Sequence, residues 1–256
     1  MITSTSNGKI KNLIKCIKSA KERKKEDIFV VEGIRMFLEI PDEQHVETFV
    51  TERFFEKYEQ YLMDKKVEFV SENVMHALSD TKTPQGVVSI VKRFHYAKET
   101  VCSGEQPLIM ALENLQDPGN LGTIIRTAEG AGVTGILMSQ DTVDVYNPKV
   151  VRSTMGSVFR VPFCYVENLV EMIEQLKKQG FMTYSAHLQG KSFYDYDYQK
   201  PTVFCIGNEG NGLSEELTNI TEEKIIIPMM GKVESLNAAT ASTVLMYEAM
   251  RQRKSK

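Results

Sequence analysis

Residues 114–128 read NLQDPGNLGTIIRTA and directly follow the apolar run Leu108 to Leu112. A strand that enters a polar turn and then a helix of period 3.6 is one βα unit of an α/β fold. In that unit Asn120 is placed to cap the helix, Gly122 permits close backbone approach, and Arg126 falls one to two turns in. Polar groups gathered at the positive end of a helix form a candidate ligand site; a well-capped turn with a surface arginine accounts for the same residues. Working outward, strands are expected over 136–138, 161–165, 181–186, 202–206 and 224–227, and helices over 120–131, 169–179, 214–219 and 236–253. Such alternation predicts a mostly parallel sheet covered on both faces. Strand order alone would make it Rossmann-like.

Upstream, shorter signals alternate in the same way. Strands are expected over 28–31, 46–50, 67–70 and 86–91, with helices over 34–40, 53–65 and 72–78, which makes a small α/β unit. The polar stretch 93–106 lacks periodicity, so the chain divides into residues 1–96, a linker 97–106, and residues 107–256.

The net charge of −3 conceals a strongly basic start. Residues 1–25 carry eight basic side chains against Glu22 alone, whereas the rest of the chain is acidic. Ile10, Leu13, Ile14 and Ile17 recur at helical spacing while Lys11, Lys15, Lys18 and Lys25 fall on outer faces, which predicts one amphipathic basic helix. Its lysines, Lys24 included, are either a solvated face or a phosphate-contacting surface for nucleic acid. The apolar face has no aromatic residue and is narrow, which disfavours a membrane-surface role.

Two later stretches join the first. Residues 207–212 read GNEGNG, again after a strand and before a helix. The glycines run opposite to the dinucleotide fingerprint and no acidic residue follows at the ribose distance, so a nicotinamide cofactor is not expected. A loop of this kind holding Glu209 is a place where backbone amides meet a small ligand, or a plain glycine turn. In the stretch 228–241, polar Ser235 and Asn237 interrupt the expected start of the last helix, where small residues then allow close packing.

Hydrophobic content of 42% and charged content of 25% over 256 residues describe a folded globular chain. No apolar run approaches the ~18 residues of a spanning helix, and the N-terminus has no signal-type apolar stretch, so a cytoplasmic protein is expected. Cys16, Cys102, Cys164 and Cys205 are widely spaced, and the four histidines show no metal-ligand pattern, which predicts reduced thiols and no metal.

Taken in order, NLQDPGNLGTIIRTA, FCIGNEGNGLSEEL and IIIPMMGKVESLNAATA resemble the three motifs of the SpoU/TrmH family of RNA ribose 2′-O-methyltransferases, within the SPOUT superfamily. Residues 146–156 and the stretch Thr83 to Val87 also match, so the resemblance spans most of the chain; Thr154 stands where a serine is usual. It implies a C-terminal domain with a deep trefoil knot, a smaller N-terminal α/β RNA-binding domain related to a ribosomal protein fold, and a homodimer with the active site near the subunit interface. It further implies S-adenosylmethionine held by Gly207, Ile227 and Leu236, with Ala186 and His187 in a wall of the pocket. By motif position the catalytic group is Arg126, framed by Asn120, Glu209, Ser235 and Asn237, without a metal. A guanidinium is effectively always protonated, so Arg126 is better suited to hold a phosphate and stabilise a developing alkoxide than to accept a proton. Glu209 would either orient Arg126 or hold the nucleotide. Large-subunit rRNA is the expected substrate. A tRNA ribose methyltransferase, an antibiotic-resistance rRNA methyltransferase and a non-catalytic RNA-binding module are the alternatives.

Overall fold

The structure is a computed structural model and describes residues 1–254. The chain forms two compact units, one made of residues 1–94 and 144–159, the other of residues 95–143 and those from 160 onward.

In the first unit, α1 (Gly8–Lys18) starts where the Asn7 side chain accepts from Lys9 N at 2.9 Å. The single basic helix expected from the spacing is broken. Ser19 is extended (φ −131°, ψ 120°) and its hydroxyl caps a second helix, α2 (Ala20–Glu26), by accepting from Glu22 N. The break has a physical cause in Arg23, which turns inward to 4% exposure. Its guanidinium donates to the Cys16 and Ile17 carbonyls at 2.7 and 2.9 Å and pairs with Asp144 at 2.6 Å. It thereby satisfies carbonyls that the end of α1 leaves without helical donors.

After α2 come β1 (Ile28–Glu32), α3 (Ile34–Phe37), β2 (His45–Val50), α4 (Glu52–Tyr58), β3 (Val67–Phe69), α5 (Glu72–Leu78) and β4 (Val87–Lys92). The sheet order is β1-β4-β2-β3; β4 is antiparallel to β1 and β2, and β3 is parallel to β2. Ile10 and Leu13 of α1 and Val74 and Leu78 of α5 cover Val30, Phe49 and Val88 of the sheet. This pairing brings the ends of β1 and β2 and the start of β4 to one edge.

The second unit contains α6 (Lys98–Val101), β5 (Leu108–Leu112), α7 (Pro118–Ala131) and β6 (Gly135–Ser139). The chain then enters the first unit with α8 (Pro148–Thr154) and returns through β7 (Phe163–Val166), α9 (Leu169–Lys178), β8 (Met182–Ser192), β9 (Thr202–Ile206), α10 (Glu215–Ile220), β10 (Glu223–Ile226) and α11 (Ala238–Lys254). All six strands are parallel in the order β10-β8-β9-β5-β6-β7. A Rossmann sheet would place β8 beside β5. Here β9 takes that position, between β5 and the strand made before it, which corrects the Rossmann-like order that alternation suggests.

Two segments behave differently from their sequence signals. The stretch read as a linker, 97–106, is packed: Val101 is fully buried, and a Cβ on Gly135 would lie 2.1 Å from the Val101 carbonyl oxygen. Residues 144–159 belong to the first unit through Tyr146, whose ring lies 4.6 Å from Phe29 and whose hydroxyl bonds Phe94 N and O at 2.7 and 3.0 Å. The cause is non-local aromatic packing and the Arg23–Asp144 pair, neither of which periodicity can reveal.

Candidate functional site

In the second unit β5 leads into β6 and β7 on one side, while β9, β8 and β10 lie on the other. Ligands of open parallel sheets bind outside the strand ends at such a reversal. The residues after β5 tie the two directions together. Asn114, in a left-handed conformation (φ 54°), donates its N–H to Ser139 Oγ beyond β6 at 2.8 Å, and its carbonyl accepts from Asn208 Nδ2 beyond β9 at 2.8 Å. Glu113 accepts from the N–H and hydroxyl of Ser214 at 2.7 Å each. Sequence reasoning missed Glu113, Asn114 and Asn208, although polar residues directly after apolar strands are a usable signal.

The cap of α7 is also different from the expected one. Asp117 accepts from Asn120 N at 2.8 Å with Pro118 opening the helix, so Asn120 lies inside the first turn. This frees the Asn120 side chain for the site. Its Nδ2 donates to Glu209 Oε1 at 3.0 Å, and its Oδ1 accepts from Asn237 Nδ2 at 2.9 Å. Asn237 Oδ1 in turn caps α11 by accepting from Ala239 N at 2.9 Å. Glu209 also accepts from Gln116 N and Asp117 N at 3.1 and 3.0 Å. Burial alone would raise the Glu209 carboxyl, but these donors, with the Asn120 amide first among them, hold it below the ordinary carboxylate range. Three sequence-predicted residues, Asn120, Glu209 and Asn237, thus form one hydrogen-bonded chain.

Beside that chain lies a cleft of about 680 Å³, within the usual range for small-molecule sites. Gly207, Ile227, Leu236, Ser235, Ala186 and His187, each predicted from the motifs, all line it. Gly207 is dictated by contact: a Cβ there would sit 2.1 Å from the Gly212 carbonyl carbon and 2.2 Å from Leu213 N. His187 Nδ1 accepts from Gln189 N at 3.1 Å, which fixes this wall.

Arg126 stands apart from the cleft. It is exposed on α7, does not line the cleft, and makes no hydrogen bond or ion pair among the described residues. Six residues beyond Asn120, it is about 9 Å further along the helix and turned well away from it. Glu209 therefore engages Asn120 and the 116–117 backbone, and the alternative in which it orients Arg126 is not the arrangement found.

The lining is suited to S-adenosylmethionine. Partly exposed Ile226, Ile227 and Leu236 offer apolar surface for a purine, Glu209 and Glu234 are acidic, and no lysine or arginine lines the cleft among the described residues. A polyphosphate needs cations at its site; a ligand bearing sulfonium and ammonium charges does not.

Comparison with known proteins agrees with this geometry. Residues 107–247 match the SpoU rRNA Methylase family, and residues 7–89 match an MRM3-like substrate binding domain. The 23S rRNA (guanosine(2553)-2′-O)-methyltransferase RlmP of Bacillus subtilis is 31% identical, over 96% of this chain and 97% of its own length. The crystal structure of an AdoMet bound rRNA methyltransferase from Sinorhizobium meliloti is similar over 98% of this chain and 97% of that one, with TM-score 0.87 and 31% identity. The SpoU methyltransferase AviRb from Streptomyces viridochromogenes, in complex with the cofactor AdoMet, covers 97% of this chain and 99% of that one at TM-score 0.87 and 27% identity. With a family match over residues 107–247 that spans its parallel sheet, the chain belongs to the SpoU rRNA methylase family.

Proposed function

We propose that this protein transfers a methyl group from S-adenosylmethionine to the ribose 2′-hydroxyl of a nucleotide in large-subunit rRNA, in the cytoplasm and as a homodimer. The observation that carries this is the Asn120–Glu209–Asn237 chain beside a cleft that no lysine or arginine lines among the described residues. Likeness over nearly the whole length to a 23S rRNA ribose methyltransferase supports the substrate class. The second unit would carry the chemistry and the first would hold RNA. Insertion of β9 between β5 and β8, with the loops after β9 and β10 meeting at one cleft, supports the knotted path of the family.

When bound, the cofactor supplies an electrophilic methyl group on sulfur. For the ribose 2′-hydroxyl to take that methyl group, its proton would have to pass to solvent as charge develops on the oxygen. The chain must orient the acceptor oxygen and stabilise the charge that develops there. Gly207, Ile227, Leu236, Ala186 and His187 would hold the cofactor. Asn120, Glu209, Ser235 and Asn237 would frame the acceptor ribose. Arg126, outside the cleft and without a partner among the described residues, would meet an RNA phosphate and the developing alkoxide, and its exposed helix face suits the subunit boundary expected of the dimer. Exposed Lys11, Lys15, Lys18, Lys24 and Lys25 of α1 and α2 would add phosphate contacts without sequence preference.

The test is methyl transfer from labelled S-adenosylmethionine to a 23S rRNA transcript, followed by mapping of 2′-O-methylated positions. One linkage that stays uncleaved on alkaline hydrolysis is expected. Labelling of tRNA alone, or of a base rather than a ribose, would overturn the assignment. Sedimentation of the protein at monomer mass throughout the micromolar range would remove the dimer.

A further inference from the structure

At the edge of the first unit where β1 and β2 end and β4 begins, two clefts of about 350 and 360 Å³ lie side by side and share Ile34 and Gln85. Arg35 and Arg152 line one; Arg53, Lys57 and Tyr58 line the other. Residues 26–96 carry fourteen acidic against eight basic side chains, so cations converging here run against the local composition. Arg152 is committed to Asp80 by two bonds of 3.0 Å. Arg35, Arg53 and Lys57 are exposed and have no ion pair among the described residues. Of the acids at the groove, Glu32 is engaged by Thr81 Oγ1 at 2.6 Å and Asp80 N at 3.0 Å, and Glu72 opens α5.

The groove is held in shape by the segment before β4. Gly86 has φ +85° and a Cβ there would lie 2.8 Å from Thr51 Oγ1 and 3.0 Å from Phe54 Cβ, so glycine lets the chain lie this close to the β2–α4 junction. Next to it, Gln85 Oε1 accepts from Ile34 N at 3.2 Å, and the Gln85 amide NH₂ has no partner among the described residues. Tyr58 rests on Phe54 with ring centroids 4.7 Å apart and carries Lys57 Nζ 5.1 Å from its centroid. Exposed cations without an ion pair, a free amide donor and an aromatic ring are the elements of a single-strand nucleic-acid groove.

We propose that this groove binds an unpaired segment of the RNA substrate. Phosphates lie on Arg35, Arg53 and Lys57, Gln85 donates to a base or ribose oxygen, and a base stacks at Tyr58 with Lys57 swung onto the backbone. The lysines of α1 and α2 offer charge without a cleft, a donor or a ring, so they supply attraction while the groove selects single-stranded RNA. This inference rests on the RNA methyltransferase function above.

The experiment measures binding of a labelled short oligouridylate and of a 23S rRNA transcript by fluorescence anisotropy over a series of salt concentrations, using the full chain. The Arg53→Glu/Lys57→Glu variant should lose tenfold or more in oligouridylate affinity, with the salt slope smaller by about 1.4, two single-strand contacts at ~0.7 each. Arg53→Gln/Lys57→Gln should lose the same slope without new acids beside Glu52 and Glu56, which covers any folding defect of the first pair. Gln85→Ala should weaken binding at an unchanged slope. Wild-type affinity and slope in both double variants would overturn the groove. Failure of the function itself reads differently: wild-type protein would then bind no S-adenosylhomocysteine in calorimetry and methylate no transcript. That calorimetric binding should persist in every groove variant, since the cofactor cleft lies in the other unit.

Discussion

Asn237 donates its side-chain Nδ2 to Asn120 Oδ1 at 2.9 Å, joining the start of the last helix to the first turn of α7 across 117 positions of sequence. Asn120 passes the chain on to Glu209, so its amide is both acceptor and donor. Asn120→Ala leaves two partners unsatisfied, and a loss of about 1 to 3 kcal/mol predicts methyl transfer lower by roughly five- to 150-fold. Asn120→Asp adds a pH test. A carboxyl beside the Glu209 carboxylate has a raised pKa, and only its protonated form can donate to Glu209 while accepting from Asn237. Activity relative to wild type should therefore be highest at acid pH and fall as pH rises through that pKa. A ratio constant from about pH 5 to pH 9 would contradict the role of the amide as donor.

Arg126 lies on α7 outside the cleft, so its substitution should separate methyl transfer from cofactor binding. Arg126→Ala should lower turnover by roughly 10²- to 10³-fold, as loss of one charge-stabilising donor does. S-adenosylhomocysteine affinity, measured by calorimetry, should stay near wild type. Arg126→Lys should restore little because the planar fork is lost. Near-normal turnover of the lysine variant would show that a point charge suffices.

Gly207→Ala puts a methyl group into the backbone of Gly212 and Leu213. Backbone cannot yield as a side chain can, so a cost of roughly 3 kcal/mol or more is expected, with the cleft loop displaced. Urea unfolding and S-adenosylhomocysteine calorimetry check both effects. An alanine variant with unchanged midpoint and affinity would mean the loop is looser than described.

The cysteines should be quiet at neutral pH. Burial pushes the Cys102 and Cys164 thiols up to about 11, and Cys205 rises strongly for the same reason. Cys16 is also raised by burial, helped by Glu26 and Glu22. Since the thiolate is the nucleophile, a disulfide reagent should modify native protein slowly at about pH 8, faster toward pH 11, and all four thiols at once in denaturant. Rapid native modification of any one at neutral pH would contradict its burial.

Periodicity exposed the elements whose packing is local in sequence. Strands expected over 108–112 and 202–206 match β5 and β9, and the helix over 169–179 matches α9 within a residue, because each is a simple apolar run or stripe facing one core. The cleft residues were legible only through the resemblance of the three motifs to a known family, since glycines after a strand read equally well as a plain turn. What stayed hidden was set by partners far along the chain. Arg23 reads as one more basic surface residue until Asp144 supplies its counter-charge. Asp117 and Asn120 are equivalent caps on paper, and only Glu209 and Asn237 decide which one is free. The strand signal over 181–186 stops short of β8, whose later residues pair with β10 after a register shift, and polar sequence gives no sign of that.

Residues 144–159 have a consequence for biosynthesis. Emergence from the ribosome is sequential, and domains generally fold as they emerge. The first unit cannot close when Phe94 appears, because Tyr146, which covers Phe29, and Asp144, which neutralises Arg23, have yet to be made. By the time they arrive, β5, α7 and β6 of the second unit are already outside the tunnel. Nascent chains arrested between residues 94 and 143 should therefore remain open to protease, and those arrested well beyond Phe159 should resist it. The unit made first is completed by a segment borrowed from the middle of its successor.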